Sequence, residues 1–180
     1  HWGGEGYHKF ALNERMAGFH EYLAEHPAWW AFHNSIKSQK FIEFILGMLA
    51  HHKIVITPSP KWSSRFEFAM MPADGGKIAP HTDISSKAVT LIFSMQPPTE
   101  PWDPKWGGGT DVLEPWSKTT PLESYKAPLV LFKKVATYDY TPNQCVIFIK
   151  NDVSWHSVGP MTGPPGQMRR TITLNIERAA

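Results

Sequence analysis

The sequence predicts one α+β, mainly β domain: a jelly roll with N-terminal helices packed on one of its sheets. Three observations carry this expectation. Apolar residues recur at intervals of three and four near the N-terminus. Short β-branched and aromatic runs, separated by Pro, Gly, Asn and Asp, fill the chain beyond Lys53. A length of 180 residues suits a single core. The domain therefore reads as 1–180, with a helical part at 1–53 and a jelly-roll core at 54–180.

The elements follow in chain order. Leu12, Met16, Phe19 and Leu23 share one helical face, which predicts a helix over Asn13–His26 that Pro27 stops. A second helix is expected from near Ser35 to about His51, with Ile36, Phe41, Phe44, Ile45, Met48 and Leu49 turned inward. Strands are expected at Ile54–Thr57, Arg65–Met71, Ala88–Met95, Thr110–Leu113, Leu129–Ala136, Cys145–Ile149 and Arg170–Ile176. Pro97–Gly109, rich in Pro, Gly and Trp, reads as an ordered loop, and no internal repeat is visible.

Composition excludes several classes. With 42% hydrophobic and 19% charged residues, the chain is neither disordered nor fibrous. Its net charge of +2 is spread without a basic stripe, so no nucleic-acid partner is expected. Cys145 is the only cysteine, so a disulfide framework is impossible, and its apolar run predicts a buried, inert thiol. No signal-like segment and no apolar run of about 18 residues occurs, so no membrane is expected and the location is read as cytoplasmic.

The chemistry begins at Pro80-His81-Thr82-Asp83. In an extended segment, residues two apart point to one face, so His81 and Asp83 can reach one ion. His156 follows a strand-like run within Asn151–Val158 and is the candidate for a second imidazole. Two histidines and one carboxylate form the facial set that leaves positions open on iron(II). Thirteen residues after His156 comes Arg169, at the start of a strand whose alternation places Arg169, Thr171, Thr173 and Asn175 on one face and Arg170, Ile172, Leu174 and Ile176 on the other. A guanidinium on that polar face can grip the far carboxylate of a dicarboxylate in a bidentate fork, with the Thr171 hydroxyl adding a hydrogen bond.

The segments Pro80–Asp83, Ser86–Phe93, Trp106–Thr110, Trp155–Val158 and Arg169–Thr173 occur in that order. Together they resemble the iron(II)- and 2-oxoglutarate-dependent dioxygenases, in particular the prolyl-4-hydroxylase-like branch, over about residues 65 to 178. The resemblance implies a double-stranded β-helix, with His81, Asp83 and His156 as iron ligands. It also implies that Arg169 and Thr171 hold the C5 carboxylate of 2-oxoglutarate. The implied reaction is hydroxylation of a small molecule or peptidyl residue, with 2-oxoglutarate and O2 converted to succinate and CO2. The presence of Asp83 argues against the halogenating variants, which lack that carboxylate. The chain departs from the common Gly-Gly-Glu-Leu by carrying Gly107-Gly108-Gly109-Thr110, so the rim of its substrate pocket differs. The rival from another class is a catalytically silent jelly roll that binds a ligand or partner.

Other residues suit plainer roles. Neighbouring His51 and His52 diverge on a helix and are excluded as ligands. Gly107–Gly109 suits a tight turn better than a phosphate cradle, because no Gly-Lys-Ser/Thr follows. Trp102, Trp106 and Trp116 suit either a stacking surface or loop packing, and Tyr138 and Tyr140 carry no assigned role.

Overall fold

Pro27, expected to stop the first helix, opens the second. The structure, a computed structural model, describes residues 2–4, 7–117 and 127–178. It places α1 at Phe19–Glu25, α2 at Pro27–Lys37 and α3 at Gln39–His51. Proline is well suited to a first helical position, where its missing N–H has no partner to lose. Ser38 separates α2 from α3, and its Oγ accepts the Phe41 N–H at 3.2 Å as an N-cap. Three helices therefore stand where two were expected, and Ile36 belongs to α2. The buried face of α3 is Ile42, Ile45 and Leu49, whereas Phe44, expected inward, is 63% exposed.

Two strands precede the helices: β1 at Trp2–Gly4 and β2 at Tyr7–Asn13. Leu12, read as the first position of a helical face, lies on β2. Its spacing to Met16 mimics a helical repeat across a turn that ends at Gly18, with φ +82°. Glu14 in that turn accepts from His33 Nε2 at 2.8 Å, from the Lys37 ammonium and from the Phe66 N–H at 3.2 Å. The turn is thereby tied to α2 and to the next strand.

Beyond the helices run β3 (Trp62–Pro72), β4 (Ile78–His81), β5 (Lys87–Ser94), β6 (Thr110–Pro115), β7 (Phe132–Tyr138), β8 (Cys145–Ile149), β9 (Trp155–Val158) and β10 (Met168–Arg178). Short 3-10 turns at Pro104–Trp106 and Leu129–Leu131 interrupt the connections. Ile54–Thr57 is not a strand. No ladder among the described residues pairs with it, and Val55 is 89% exposed.

The strands form two antiparallel sheets. The larger runs β2-β3-β10-β5-β8 and the smaller β2-β4-β9-β6-β7, with β2 contributing to both and β1 beside it. From β3 onward the chain alternates between the sheets, except that β6 and β7 follow one another in the smaller one. The result is a mainly β body with few helices, consistent with a jelly roll.

The central strand is β10, paired along its length with β3 and over most of it with β5. Its outward residues Ile172, Leu174 and Ile176 are at most 1% exposed and join Phe66, Val89 and Leu91 against Phe19, Leu23, Ile42 and Ile45 of the helices. Its inward residues face a cavity between the sheets. At the far edge of the larger sheet, where among the described residues no strand pairs β8 on its outer side, Cys145 is exposed rather than buried. Among the described residues, no helix is long and apolar enough to cross a membrane.

If the outward face of β10 anchors the fold, Leu174→Ala should cost about 2–5 kcal/mol, read as a lowered urea midpoint with an unchanged m-value.

Candidate metal centre and its cavity

Strands β4 and β9 are neighbours in the smaller sheet, and their register sets His81 directly opposite His156. Opposed residues on antiparallel strands have Cβ atoms about 4.5–5.5 Å apart, and these two rings lie 4.2 Å apart at their centroids. Asp83 follows two residues after His81, just past the end of β4. One ligand atom from each of His81, Asp83 and His156 lies within 4.8 Å of the others.

Backbone carbonyls set the tautomers. His81 Nδ1–H donates to Ala79 O at 2.9 Å and His156 Nδ1–H donates to Ser154 O at 3.1 Å. The proton on Nδ1 leaves the basic lone pair of each ring on Nε2, the arrangement that orients an imidazole toward a metal. Asp83 is held at both oxygens. Its Oδ1 accepts from the Lys87 ammonium at 2.6 Å, and its Oδ2 lies 2.9 Å from the Thr90 hydroxyl. That hydroxyl also sits 3.1 Å from the Asn175 side-chain amide, and its single proton goes to the carboxylate, the stronger acceptor.

Burial controls the charges. It pushes His81 down to about 4, helped by the neighbouring His156, and it lowers His156 against the pull of Asp83. For Asp83, burial acts upward but is outweighed by the Lys87 cation together with His156 and the Thr90 hydroxyl, so the carboxyl stays below its ordinary range. At neutral pH the cluster therefore presents two neutral imidazoles and a carboxylate, the protonation states that divalent-metal binding requires. This donor set fits iron(II) in a facial arrangement.

Arg169 lies on the inward face of β10 and lines the same cavity, which has a volume of about 310 Å³. It is 5% exposed, its Nε donates to Gly108 O at 2.6 Å, and its guanidinium carbon stands 4.8 Å from the Tyr140 ring centroid. Burial lowers its pKa to about 10, which leaves it charged at neutral pH. Among the described residues no carboxylate pairs with it. A buried cation without an anion costs several kcal/mol, so the site suits an anionic ligand. Thr171, Thr173 and Asn175 line the cavity from the same face.

The Trp-rich loop packs behind Arg169. Trp102 Nε1 donates to Gly107 O at 2.9 Å, and the Trp102 ring makes edge contacts with Trp106 and Tyr140. Trp102 and Trp106 are thus packing anchors, while Trp116 is 68% exposed. Gly107 and Gly108 adopt φ +80° and +86° in a turn that leads into β6 rather than into a helix. His51 and His52 end α3 in solvent, and Tyr138 is exposed.

Sequence reasoning missed Tyr140, Lys87 and Thr90. Tyr140 is buried beside Arg169, and its hydroxyl donates to Arg170 O at 2.7 Å. Thr90, a polar residue inside the apolar run of β5, was the one local signal of the carboxylate support.

A family profile described as the 2OG-Fe(II) oxygenase superfamily matches residues 66–177. No curated protein sequence matches the chain significantly. Among solved structures, the chain is similar to a prolyl hydroxylase from Trichoplax adhaerens in complex with a hypoxia inducible factor oxygen degradation domain peptide fragment. The identity is 16% and the TM-score 0.54, covering 98% of this chain and 66% of that one. It is also similar to prolyl 4-hydroxylases from Phytophthora capsici, at 15% identity and TM-score 0.52, covering 94% of this chain and 48% of that one. A third likeness is the non-haem α-ketoglutarate-dependent epimerase SnoN of nogalamycin biosynthesis, at 16% identity and TM-score 0.50, covering 99% and 64%. At these identities the likenesses concern the fold, and the chain spans between about half and two thirds of these proteins' length. The class defined by fold and cluster is that of a non-haem oxygenase. The chain belongs to the 2OG-Fe(II) oxygenase superfamily, whose members use iron(II) and 2-oxoglutarate.

Two outcomes follow from this geometry. A Cβ on Gly108 would stand 3.0 Å from Met161 Sδ and 3.2 Å from Arg169 Cδ, at a positive φ, so Gly108→Ala should destabilise the fold by about 1–3 kcal/mol in chemical denaturation. Folded His81 takes up its proton only near pH 4, whereas the unfolded side chain does so near 6.5. The unfolded state therefore binds more protons between those values, and the stability of metal-free protein should fall as pH drops from about 6.5 to about 4. Urea midpoints across that range measure it.

Proposed function

We propose that the chain is a hydroxylase in which His81, Asp83 and His156 hold iron(II), while Arg169 and Thr171 hold the C5 carboxylate of 2-oxoglutarate. The substrate is a small molecule or a peptidyl residue. Residues 1–180 act as one oxygenase domain, and the alternation of strands between the two sheets supports a double-stranded β-helix for its core. The observation that carries this reading is the pairing, in one cavity, of a His-Asp-His cluster with a buried guanidinium that has no carboxylate partner among the described residues.

Iron(II), when bound, supplies the activation of O2. The chain does the rest. His81 and His156 present Nε2 because Ala79 O and Ser154 O occupy their Nδ1 protons. Lys87 and Thr90 fix the rotation of the Asp83 carboxylate. Arg169 would give the distal carboxylate of 2-oxoglutarate a charged partner, and Thr171 would add a hydroxyl donor. Met71, Ile78 and Val158 supply apolar walls that exclude water. The balance is R–H + 2-oxoglutarate + O2 → R–OH + succinate + CO2, with one oxygen atom going to substrate and the other to succinate. Asp83 supports hydroxylation over halogenation, because it would supply the ligand whose place a halide needs.

Purified chain loaded anaerobically with iron(II) should bind 2-oxoglutarate and release succinate when O2 is admitted, and His81→Ala should abolish that release. Arg169→Met should raise the KM for 2-oxoglutarate roughly 100-fold or more, the loss expected for one partner of a buried charge pair. Thr171→Val should raise it only several-fold. A product 16 mass units heavier than its substrate, from extract incubated with enzyme, identifies hydroxylation, since epimerisation leaves mass unchanged. Absence of both 2-oxoglutarate binding and turnover overturns the proposal.

A further inference from the structure

A second pair of charges lines the same cavity from a different wall. Lys9 on β2 and Glu67 on β3, both in the larger sheet, form an ion pair of 2.7 Å with side chains 19% and 14% exposed. The metal cluster stands on and just beyond β4 and β9 of the smaller sheet. The register of β2 on β3 runs from Phe10↔Met70 to Asn13↔Glu67, so the pair reaches diagonally across the strands. Ala69, between the two along β3, adds only a methyl group to the floor.

The fold has little use for this pair. β2 and β3 are already joined by a ladder of backbone hydrogen bonds, and a partly buried ion pair adds little net stability because desolvation offsets its attraction. The cavity supplies a use. Its volume of about 310 Å³ is at the low end of the roughly 300–1,000 Å³ typical of small-molecule sites, so beside 2-oxoglutarate its interior has room for a compact group. The backbone of a residue inside a peptide brings neither an α-ammonium nor an α-carboxylate to Lys9 and Glu67. A free α-amino acid brings both, and replaces one ion pair by two without changing the net charge of the pocket.

We propose that Lys9 and Glu67 form a substrate subsite for a zwitterionic small molecule of the α-amino-acid type, with Lys9 taking the carboxylate and Glu67 the ammonium. This rests on the oxygenase reading above and names its substrate class.

The test uses the full chain loaded with iron(II) and 2-oxoglutarate, with the standard L-amino acids and their N-acetyl methylamides as probes. Succinate release and the mass of the added compound are the readouts. At least one free amino acid should stimulate release and gain 16 mass units, while its blocked counterpart should do neither. Lys9→Met and Glu67→Gln should each raise the KM for that amino acid roughly tenfold or more, leaving 2-oxoglutarate binding, measured calorimetrically without O2, within about twofold. The swap Lys9→Glu with Glu67→Lys keeps an ion pair between the strands but reverses its direction. It should recover the thermal stability of the parent chain without recovering amino-acid turnover. Stimulation by blocked amides or peptides alone, or a swap that recovers turnover, overturns the subsite. So does a chain that binds and consumes 2-oxoglutarate yet responds to no free amino acid, and that result leaves the oxygenase reading standing. Loss of 2-oxoglutarate binding in the parent chain overturns both.

Discussion

The structure depends on the two-sidedness of β10. Successive side chains of a strand point to opposite faces, and this strand is hydrogen-bonded to a neighbour on each flank. Ile172, Leu174 and Ile176 go to one side, where α1 and α3 cover them. Arg169, Thr171, Thr173 and Asn175 go to the other, where they form the floor of the cavity. The helices therefore matter to the site without touching it. By burying one face of the larger sheet, they secure the register that presents the other.

The smaller sheet contributes by opposition rather than by depth. His81 and His156 come from distant parts of the chain, yet a single cross-strand register brings their rings into contact. The carboxylate comes from a residue just outside the ladder, and Asp83 needs its own supports for that reason. Lys87 and Thr90, both from the opposite sheet, hold its two oxygens. The cluster is thus shared between the sheets, and Asn175 links its support back to β10 through Thr90.

Much of this was legible in the sequence where local pattern and tertiary role coincide. The alternation from Arg169 to Ile176 identified both faces of β10, and Cys145–Ile149 has the limits its apolar run suggested. His81, Asp83, His156 and Arg169 stood out by type and spacing. Other features depend on partners far away in sequence. Ile54–Thr57 has strand-forming residues but joins no ladder, and Cys145 is exposed at the start of an outer strand. Leu12 fitted a helical spacing by coincidence with Met16. Lys9 gave no local hint at all, because its importance comes from Glu67, 58 residues away.

The β4-β9 register also bears on how this chain can change length. Side chains alternate, so a one-residue insertion within either strand would turn its histidine to the opposite face of the sheet. The connections are under no such restriction. The 13 positions from His156 to Arg169 include the segment between β9 and β10, running from Gly159 to Gln167, and residues added there would leave both faces as they are. Related chains can therefore differ in that interval while keeping the same centre, and an alignment anchored on strand parity will track the arginine better than one anchored on distance.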